Sequence, residues 1–299
     1  MKMTKIRGSR INTMISDQFE IWHVEDEVTN EKAIYHYHDY YEIHATLTGT
    51  AEFFIEGEIF TISPGTILLI HSNDLHRILK QNSDYFERVY IFVTPYFLEK
   101  HSTILSNLEN AFKPSISNNH RSKVIKVSLE VLKEQLHFVT ETSNNANKQE
   151  FGSEISLENR VVDYIVEINR WVNDQENVEE INGKRDSEME GMINYVSENL
   201  ISPSLTLEDM ESHFFINKYH IIREFKKYTG LSFYQYVLKR RLLLSKQLLL
   251  KNPSAIEVFS ECGFASYTNF LRAFKKEFSM TPKEFLKQSV NDMIRINHM

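Results

Sequence analysis

A pentapeptide that returns at a fixed offset constrains this chain more than any other feature. Arg223-Glu-Phe-Lys-Lys227 recurs as Arg272-Ala-Phe-Lys-Lys276, 49 residues further on. The agreement extends outward, with Phe215 falling on Phe264, Asn217 on Ser266, Ile221 on Phe270, and Leu231-Ser232 on Met280-Thr281. Such self-similarity marks a repeated supersecondary unit. Within each copy, Ile221/Phe225 and Phe270/Phe274 stand four apart, the spacing of one helix face, and must look into a core. Asn217 and Ser266 are good N-caps for the two helices, and Gly230 is a good stop for the first. A short helix and a tight turn precede each copy, at Leu207–His213 and Ile256–Cys262, and a long helix from Phe233 to Lys251 joins them. The pattern predicts two helix-turn-helix units in one all-α domain.

Charge agrees with that reading. The 299 residues carry 34 basic and 41 acidic side chains, net −7. From Glu188 onward there are 15 basic against 12 acidic residues, so the remainder holds 19 against 29. Between Asn217 and Lys246 stand eight basic residues and one acidic residue, Glu224. A basic cluster on one half of an acidic chain points to a nucleic-acid surface there, although most charge runs are solvated helix faces. The length suits two domains. The single cysteine, Cys262, excludes an internal disulfide and a C-x-x-C metal or redox motif. The first 14 residues are basic and have no apolar stretch of a secretory signal. No apolar run approaches the ~18 residues of a membrane span, so a cytoplasmic protein with no membrane partner is expected.

The first third reads as β. Ile34–Leu47, Glu52–Ile55, Glu58–Ile62, Thr66–Ile70 and Arg88–Val93 are rich in β-branched and aromatic residues, with Gly, Pro, Asn and Asp at the joints. Closely spaced short strands of this kind predict a small barrel or sandwich. After Pro95 the period becomes helical: Leu129, Leu132, Leu136 and Val139 form one stripe, and Val161, Val162, Ile165, Ile168 and Val172 a second. These stripes either pack on the barrel or form a dimer seam. Asn173–Ser187 is polar and reads as a linker. The expected organisation is α+β with a sensing and dimerisation domain at 1–173, a linker at 174–187 and a DNA-binding domain at 188–299.

Arg223-x-Phe-Lys-Lys-x-x-Gly230, Phe233-x-x-Tyr236, Arg241, Leu248-Leu249, Ile256, Gly263-Phe264, Phe270-x-Arg272-x-Phe274-Lys275-Lys276 and Thr281-Pro282 together resemble the DNA-binding domain of AraC/XylS-type transcription regulators. The likeness spans roughly a hundred residues, far more specific than any lone motif. Glu211, Ser245 and Phe259 stand where that family usually has alanine, and Ser279 where it has glycine. The residues argue the same way without the family. A helix can enter the major groove of duplex DNA if its exposed stripe carries donors for base edges and phosphates. Two such helices on one domain suit successive grooves about 34 Å apart. The groove-facing set is Lys218, Tyr219, Ile222, Arg223, Tyr267, Thr268, Leu271 and Arg272; Ile222 and Leu271 either meet thymine methyls or are buried. Lys226, Lys227, Lys275 and Lys276 suit phosphates, or are plain solvated lysines.

In the predicted strand from Ile34, residues two apart share a face, so His36, His38, Tyr40, Glu42 and His44 are expected to point together into the barrel, where with His76 they form the candidate ligand site. His36-x-His38-x-x-x-Glu42, followed by Gly65-x-x-x-x-x-His71-x-x-x-x-His76, is similar to the two cupin motifs, although His71 and Asn73 replace the usual proline and glycine. That resemblance puts His36, His38, Glu42 and His76 at metal-ligand positions, a set suited to Mn, Fe, Ni, Cu or Zn. An organic-ligand cavity and a structural hydrogen-bond network are the other two readings, neither of which requires a cofactor; a divalent metal in the barrel is the one cofactor implied, and only by the first.

A cupin-like sensor on a double helix-turn-helix implies a sequence-specific transcription regulator, not an enzyme, responding to a small molecule such as a sugar or other metabolite. Promoter DNA, the effector, a second copy of the chain and, for an activator, RNA polymerase are its implied partners. The rivals are a metal-dependent cupin enzyme fused to a DNA-binding domain, and a constitutive DNA-binding protein whose barrel only dimerises.

Overall fold

Alternation of apolar and polar side chains organises the first part of the chain. The computed structural model describes residues 14, 16, 18–27, 35–81, 85–113, 123–138, 151–174, 187–251 and 254–287. Eight strands are seen among them: β1 (Phe19–Glu27), β2 (Tyr41–Thr48), β3 (Ala51–Ile55), β4 (Glu58–Ile62), β5 (Thr66–Ile70), β6 (His76–Gln81), β7 (Tyr85–Val93) and β8 (Lys123–Lys126). They form a five-stranded sheet in the order β1-β7-β2-β5-β8 and a three-stranded sheet in the order β4-β3-β6. Every pairing is antiparallel. The turn after β2 requires Gly49, whose φ is +82° and where an added Cβ would lie 2.3 Å from the Tyr85 carbonyl oxygen.

On β2, Tyr41, Ile43, Ala45 and Leu47 join a core shared with helices α1 (Pro95–His101), α2 (Leu129–Gln135) and α3 (Ser153–Asn173). Glu42, His44 and Thr46 therefore point the other way, toward the smaller sheet. There the His44 ring meets Phe53 of β3 at 4.9 Å. Ala51, Phe53, Ile55, Phe60, Ile62, Leu68, Ile70 and Phe86 fill most of the space between the sheets.

Three expectations are corrected here. The strand placed at Ile34–Leu47 is shorter: Ile34 lies outside the described residues, and regular pairing begins only at Tyr41. His36 instead makes a two-bond bridge with His76, at 3.0 and 2.9 Å, while the His38 carbonyl accepts from Asn73 N at 2.7 Å. His36, His38 and Tyr40 thus precede β2, yet His38 and Tyr40 still turn to the Glu42 side as expected: His38 Nε2 reaches Glu42, and the Tyr40 ring lies 4.8 Å from Phe92, the residue opposite Glu42 on β7. Second, the Leu129/Leu132/Leu136 stripe is no free dimer seam, because Leu132 and Leu136 are consumed in the sensor's own core. Val139 lies outside the described residues. Third, β1, β6 and β8 carry too many charged residues, or are too short, for a strand pattern to show.

The chain divides into two compact units, Met1–Asp186 and Ser187–Met299. The second is helical: α4 (Ser187–Glu198), α5 (Leu207–Phe214), α6 (Lys218–Thr229), α7 (Phe233–Lys251), α8 (Ala255–Glu261) and α9 (Tyr267–Phe278). Asn217 caps α6 through Tyr219 N, and Gly230 ends it at φ +72°. Ser266 caps α9 through Asn269 N. Ile221, Phe225, Phe270 and Phe274 are fully buried. The repeat itself needs one correction. Its offset is 49 from Asn217 onward but 48 before the turn, since the caps Thr206 and Ser254 and the left-handed residues Phe215 (φ +56°) and Gly263 (φ +76°) correspond. Phe215 therefore occupies the place of Gly263, not of Phe264. It is 92% exposed, whereas Phe264 packs on Phe270.

Candidate functional site

The two recognition helices present different surfaces. On α6, Tyr219, Ile222, Arg223 and Lys226 are exposed along one face, spaced 3, 4 and 7 from Tyr219. On α9, Thr268, Arg272, Lys275 and Lys276 are exposed. Tyr267 turns partly inward, its ring against Phe259 at 5.5 Å, and Leu271 packs partly on the same core. Ile222 stays exposed where Leu271 does not, so α6 offers the broader apolar surface.

Local bonding explains how α6 is held. Glu211, at a position where alanine would pack more closely, accepts from Lys218 N at 3.1 Å and satisfies one of the helix's unpaired amides. Ser245 is buried and donates to the Leu242 carbonyl at 2.7 Å. The basic residues of α6 are engaged. Lys218 Nζ lies 3.5 Å from Glu208, Lys226 donates to the Gly230 carbonyl at 2.7 Å, and Lys227 pairs with Glu224 at 2.9 Å. Hydrogen bonds to Tyr228 and Glu224 push the Lys227 ammonium further above its ordinary range. Arg223 Nε is 3.6 Å from Glu224, and Nη2 donates to His220 Nδ1 at 2.7 Å. Among the described residues, Arg272, Lys275 and Lys276 make no side-chain hydrogen bond or ion pair. The His220 contact was not legible from spacing alone, because it depends on which rotamers two exposed side chains adopt.

In the sensor unit, His38, Glu42 and His76 come together, with one ligand-type atom from each within 4.8 Å of the others. Glu42 Oε2 lies 3.0 Å from His38 Nε2 and 3.5 Å from His76 Nε2. The opposite ring nitrogens donate to backbone carbonyls, His38 Nδ1 to Tyr40 at 2.8 Å and His76 Nδ1 to Asp74 at 2.9 Å. Burial works to raise the Glu42 carboxyl, but its bonds with the two histidines outweigh this and hold it well below the usual range. Burial lowers His38, whereas at His76 burial is overcome by Glu42, and that imidazole is raised. His36 is outside this group; its ring stands 4.3 Å from the His76 ring.

Next along β2, His44 is fully buried, and burial pushes its pKa down to about 3, so the ring is neutral. Among the described residues, neither of its ring nitrogens has a hydrogen-bond partner, nor have the hydroxyls of Thr46 and Tyr40. Phe53, Phe86 and Tyr90 surround the ring at 4.9, 5.9 and 4.8 Å. Arg88, opposite Thr46 on β7, donates to the Tyr90 hydroxyl at 3.0 Å.

A polar-lined interior between two sheets, together with a pair of helix-turn-helix units, defines a DNA-binding regulator with its own ligand-binding domain. Comparison with known proteins gives the family. A helix-turn-helix domain model matches residues 211–288, and an AraC-like ligand binding domain model matches residues 20–149. LumQ of Photobacterium leiognathi, a probable transcriptional regulator, is 24% identical over 260 residues, 87% of this chain and 94% of LumQ. The transcriptional activator RhaS of an Enterobacter species is 23% identical over 83% of this chain and 86% of RhaS. Among solved structures, ToxT of Vibrio cholerae is similar at 16% identity and a TM-score of 0.39, over 90% of this chain and 98% of ToxT. The chain belongs to the AraC-type transcription regulators. It is a DNA-binding transcription regulator whose N-terminal domain is of the AraC-like ligand-binding type. Among the described residues, no helix is long and apolar enough to cross a membrane.

Proposed function

We propose that the effector is a hydroxyl-bearing metabolite, such as a sugar, held between the two sheets by His44 and Thr46 with Tyr40 nearby. The observation that carries this is the pair of unpartnered ring nitrogens on a fully buried, neutral His44. A neutral imidazole offers one donor and one acceptor, and a threonine hydroxyl offers both, so a ligand hydroxyl can complete either group. Leaving such groups dry costs about 1–3 kcal/mol each, which ligand binding recovers. The rings of Phe53, Phe86 and Tyr90 suit the apolar face of a sugar. Calorimetric titration of the full chain against a panel of monosaccharides tests the class. His44→Leu is expected to weaken a binding member by about 1–3 kcal/mol while effector-free DNA binding persists. Unchanged affinity in that variant would exclude His44 as a ligand contact.

A second reading concerns a divalent metal at His38, Glu42 and His76. It is favoured by the two Nδ1–H groups anchored on carbonyls, the usual outer arrangement of metal-ligating histidines, which turns both Nε2 atoms toward one carboxylate. Two imidazoles and a carboxylate fit Mn, Fe, Ni, Cu or Zn. Elemental analysis of purified protein is expected to find one such ion per chain, lost in Glu42→Ala; metal-free protein with unaltered melting on metal addition would remove the site.

The remaining parts of the reading are that the chain is not an enzyme, acts in the cytoplasm, pairs through its first unit and, where it activates, meets RNA polymerase. Relatives matched along most of their length are regulators, which supports the first. With Leu132 and Leu136 occupied, the proposed pair contact is the outer side of α3, where Ile155 is exposed. Sedimentation is expected to show a dimer at micromolar concentration, and Ile155→Glu to shift it to monomer. A monomeric wild type would end the idea.

A further inference from the structure

We infer that His220 is a positioning residue for the DNA-reading Arg223, and that Glu188 completes the arrangement from the helix that opens the DNA-binding unit. This rests on reading Arg223 as a base contact. Arg223 Nη2 donates to His220 Nδ1 at 2.7 Å, and His220 Nε2 contacts Glu188 Oε1. A guanidinium has only donors, so Nδ1 must accept and the ring's proton sits on Nε2, which donates to Glu188. The bonds therefore run one way, from guanidinium through neutral imidazole to carboxylate.

That order has two consequences for DNA reading. The Arg223 side chain is held at Nη2 by His220 and, more loosely, at Nε by Glu224 3.6 Å away, while remaining 69% exposed, so the other donors of its planar fork still face outward. Glu188 supplies the negative end of the chain through the ring and does not cover the guanidinium, unlike a direct carboxylate pair. An arginine already held in place loses less side-chain freedom when it meets a base, and its direction of approach is selected beforehand. The second recognition helix has no such device. Forty-nine residues beyond His220 stands Asn269, and among the described residues Arg272 has no side-chain hydrogen bond. The two equivalent arginines are thus prepared differently, Arg223 in advance and Arg272 only on contact.

Glu188 adds a connection across sequence. It lies in the first turn of α4, the helix that opens the unit, and 32 residues before His220. The base-reading face of α6 is thereby tied to the helix that enters the DNA-binding unit.

The test uses the full chain, with a duplex selected by the wild-type protein from a random library as probe and a scrambled duplex as control. Arg223→Ala comes first: if its selected-to-scrambled affinity ratio matches wild type, the base-contact reading itself fails, and the positioning role with it. Given a reduced ratio, His220→Leu is expected to lower it by about three- to tenfold and to relax preference at the same base pair. His220→Gln, whose amide can accept and donate, is expected to keep the wild-type ratio. In an Arg223→Ala background, His220→Leu is expected to change nothing more. An equal loss in both backgrounds, or a wild-type ratio in His220→Leu, would overturn the inference while leaving Arg223's own role intact. Should His220→Leu fail to fold, Glu188→Ala carries the same test, with a loss of the same sign expected only when Arg223 is present.

Discussion

Phe270→Ala is expected to destabilise the DNA-binding unit by about 3–5 kcal/mol, the usual cost of emptying a fully buried phenylalanine site. Phe270 is 0% exposed and stands at the centre of an aromatic cluster, with ring centroids 5.2 Å from Phe264 and 5.6 Å from Phe274. Its neighbours are themselves large and anchored, Phe274 on both Phe278 and Phe285, so the space left behind cannot close by a small shift. Domain stabilities of about 5–15 kcal/mol make such a loss a large share of the whole. The chain supplies its own internal control. Both tryptophans, Trp22 and Trp171, lie in the first unit, so their emission reports that unit alone. In urea, the helical circular dichroism signal is expected to show an early transition in Phe270→Ala while the tryptophan midpoint stays near wild type. A loss under 1 kcal/mol would mean that the cluster tolerates a void at its centre.

The same aromatic residues explain why the second unit was legible from sequence and the first was less so. In α6 and α9 one pattern occurs twice, with buried residues four apart, a capping side chain before them and a left-handed residue after them. Each signal is local and each is repeated, so the helices, including Phe233–Lys251, stand where the pattern puts them. The turn was the exception: Phe215 adopts a glycine-like conformation that nothing about phenylalanine announces, and this shifts the repeat by one residue. In the sensor, placement depends on partners far away in sequence. His38 reaches Glu42 from outside β2, His76 arrives from β6, and the His36–His76 bridge replaces an expected strand. Residue types there suggested a polar interior, while the grouping into three converging groups and a separate His44–Thr46 pair required the tertiary fold. The Glu42 and His44 alternation was readable in advance because it lies within β2 proper.

Arg272→Ala is expected to cost about 1–3 kcal/mol on the selected site, and to relax base preference at one or two pairs, because a bidentate arginine–guanine contact is lost. Arg223→Ala is expected to behave likewise at a different pair, since the two arginines hold equivalent places six residues after their helix caps, Asn217 and Ser266. The lysines separate specific from general attraction. Lys276 carries a charge that is not tied to a side-chain partner among the described residues, and Lys275 is coupled to Glu284 only through charge, so replacing either by alanine is expected to weaken all duplexes alike and to lower the salt slope by about 1. Lys227 is different: its ammonium already pairs with Glu224 and lies 4.3 Å from the Tyr228 ring centroid. Lys227→Ala removes a cation and leaves Glu224 with Arg223 as its remaining ion-pair partner among the described residues, drawing the carboxylate onto the guanidinium. Its effect is therefore expected to include a loss of specificity that Lys276→Ala does not show. Affinities for selected and scrambled duplexes, each measured at several salt concentrations, resolve these cases. Equal losses on both duplexes after removing Arg223 and Arg272 together would reject base reading by either arginine and leave α6 and α9 as phosphate-binding helices.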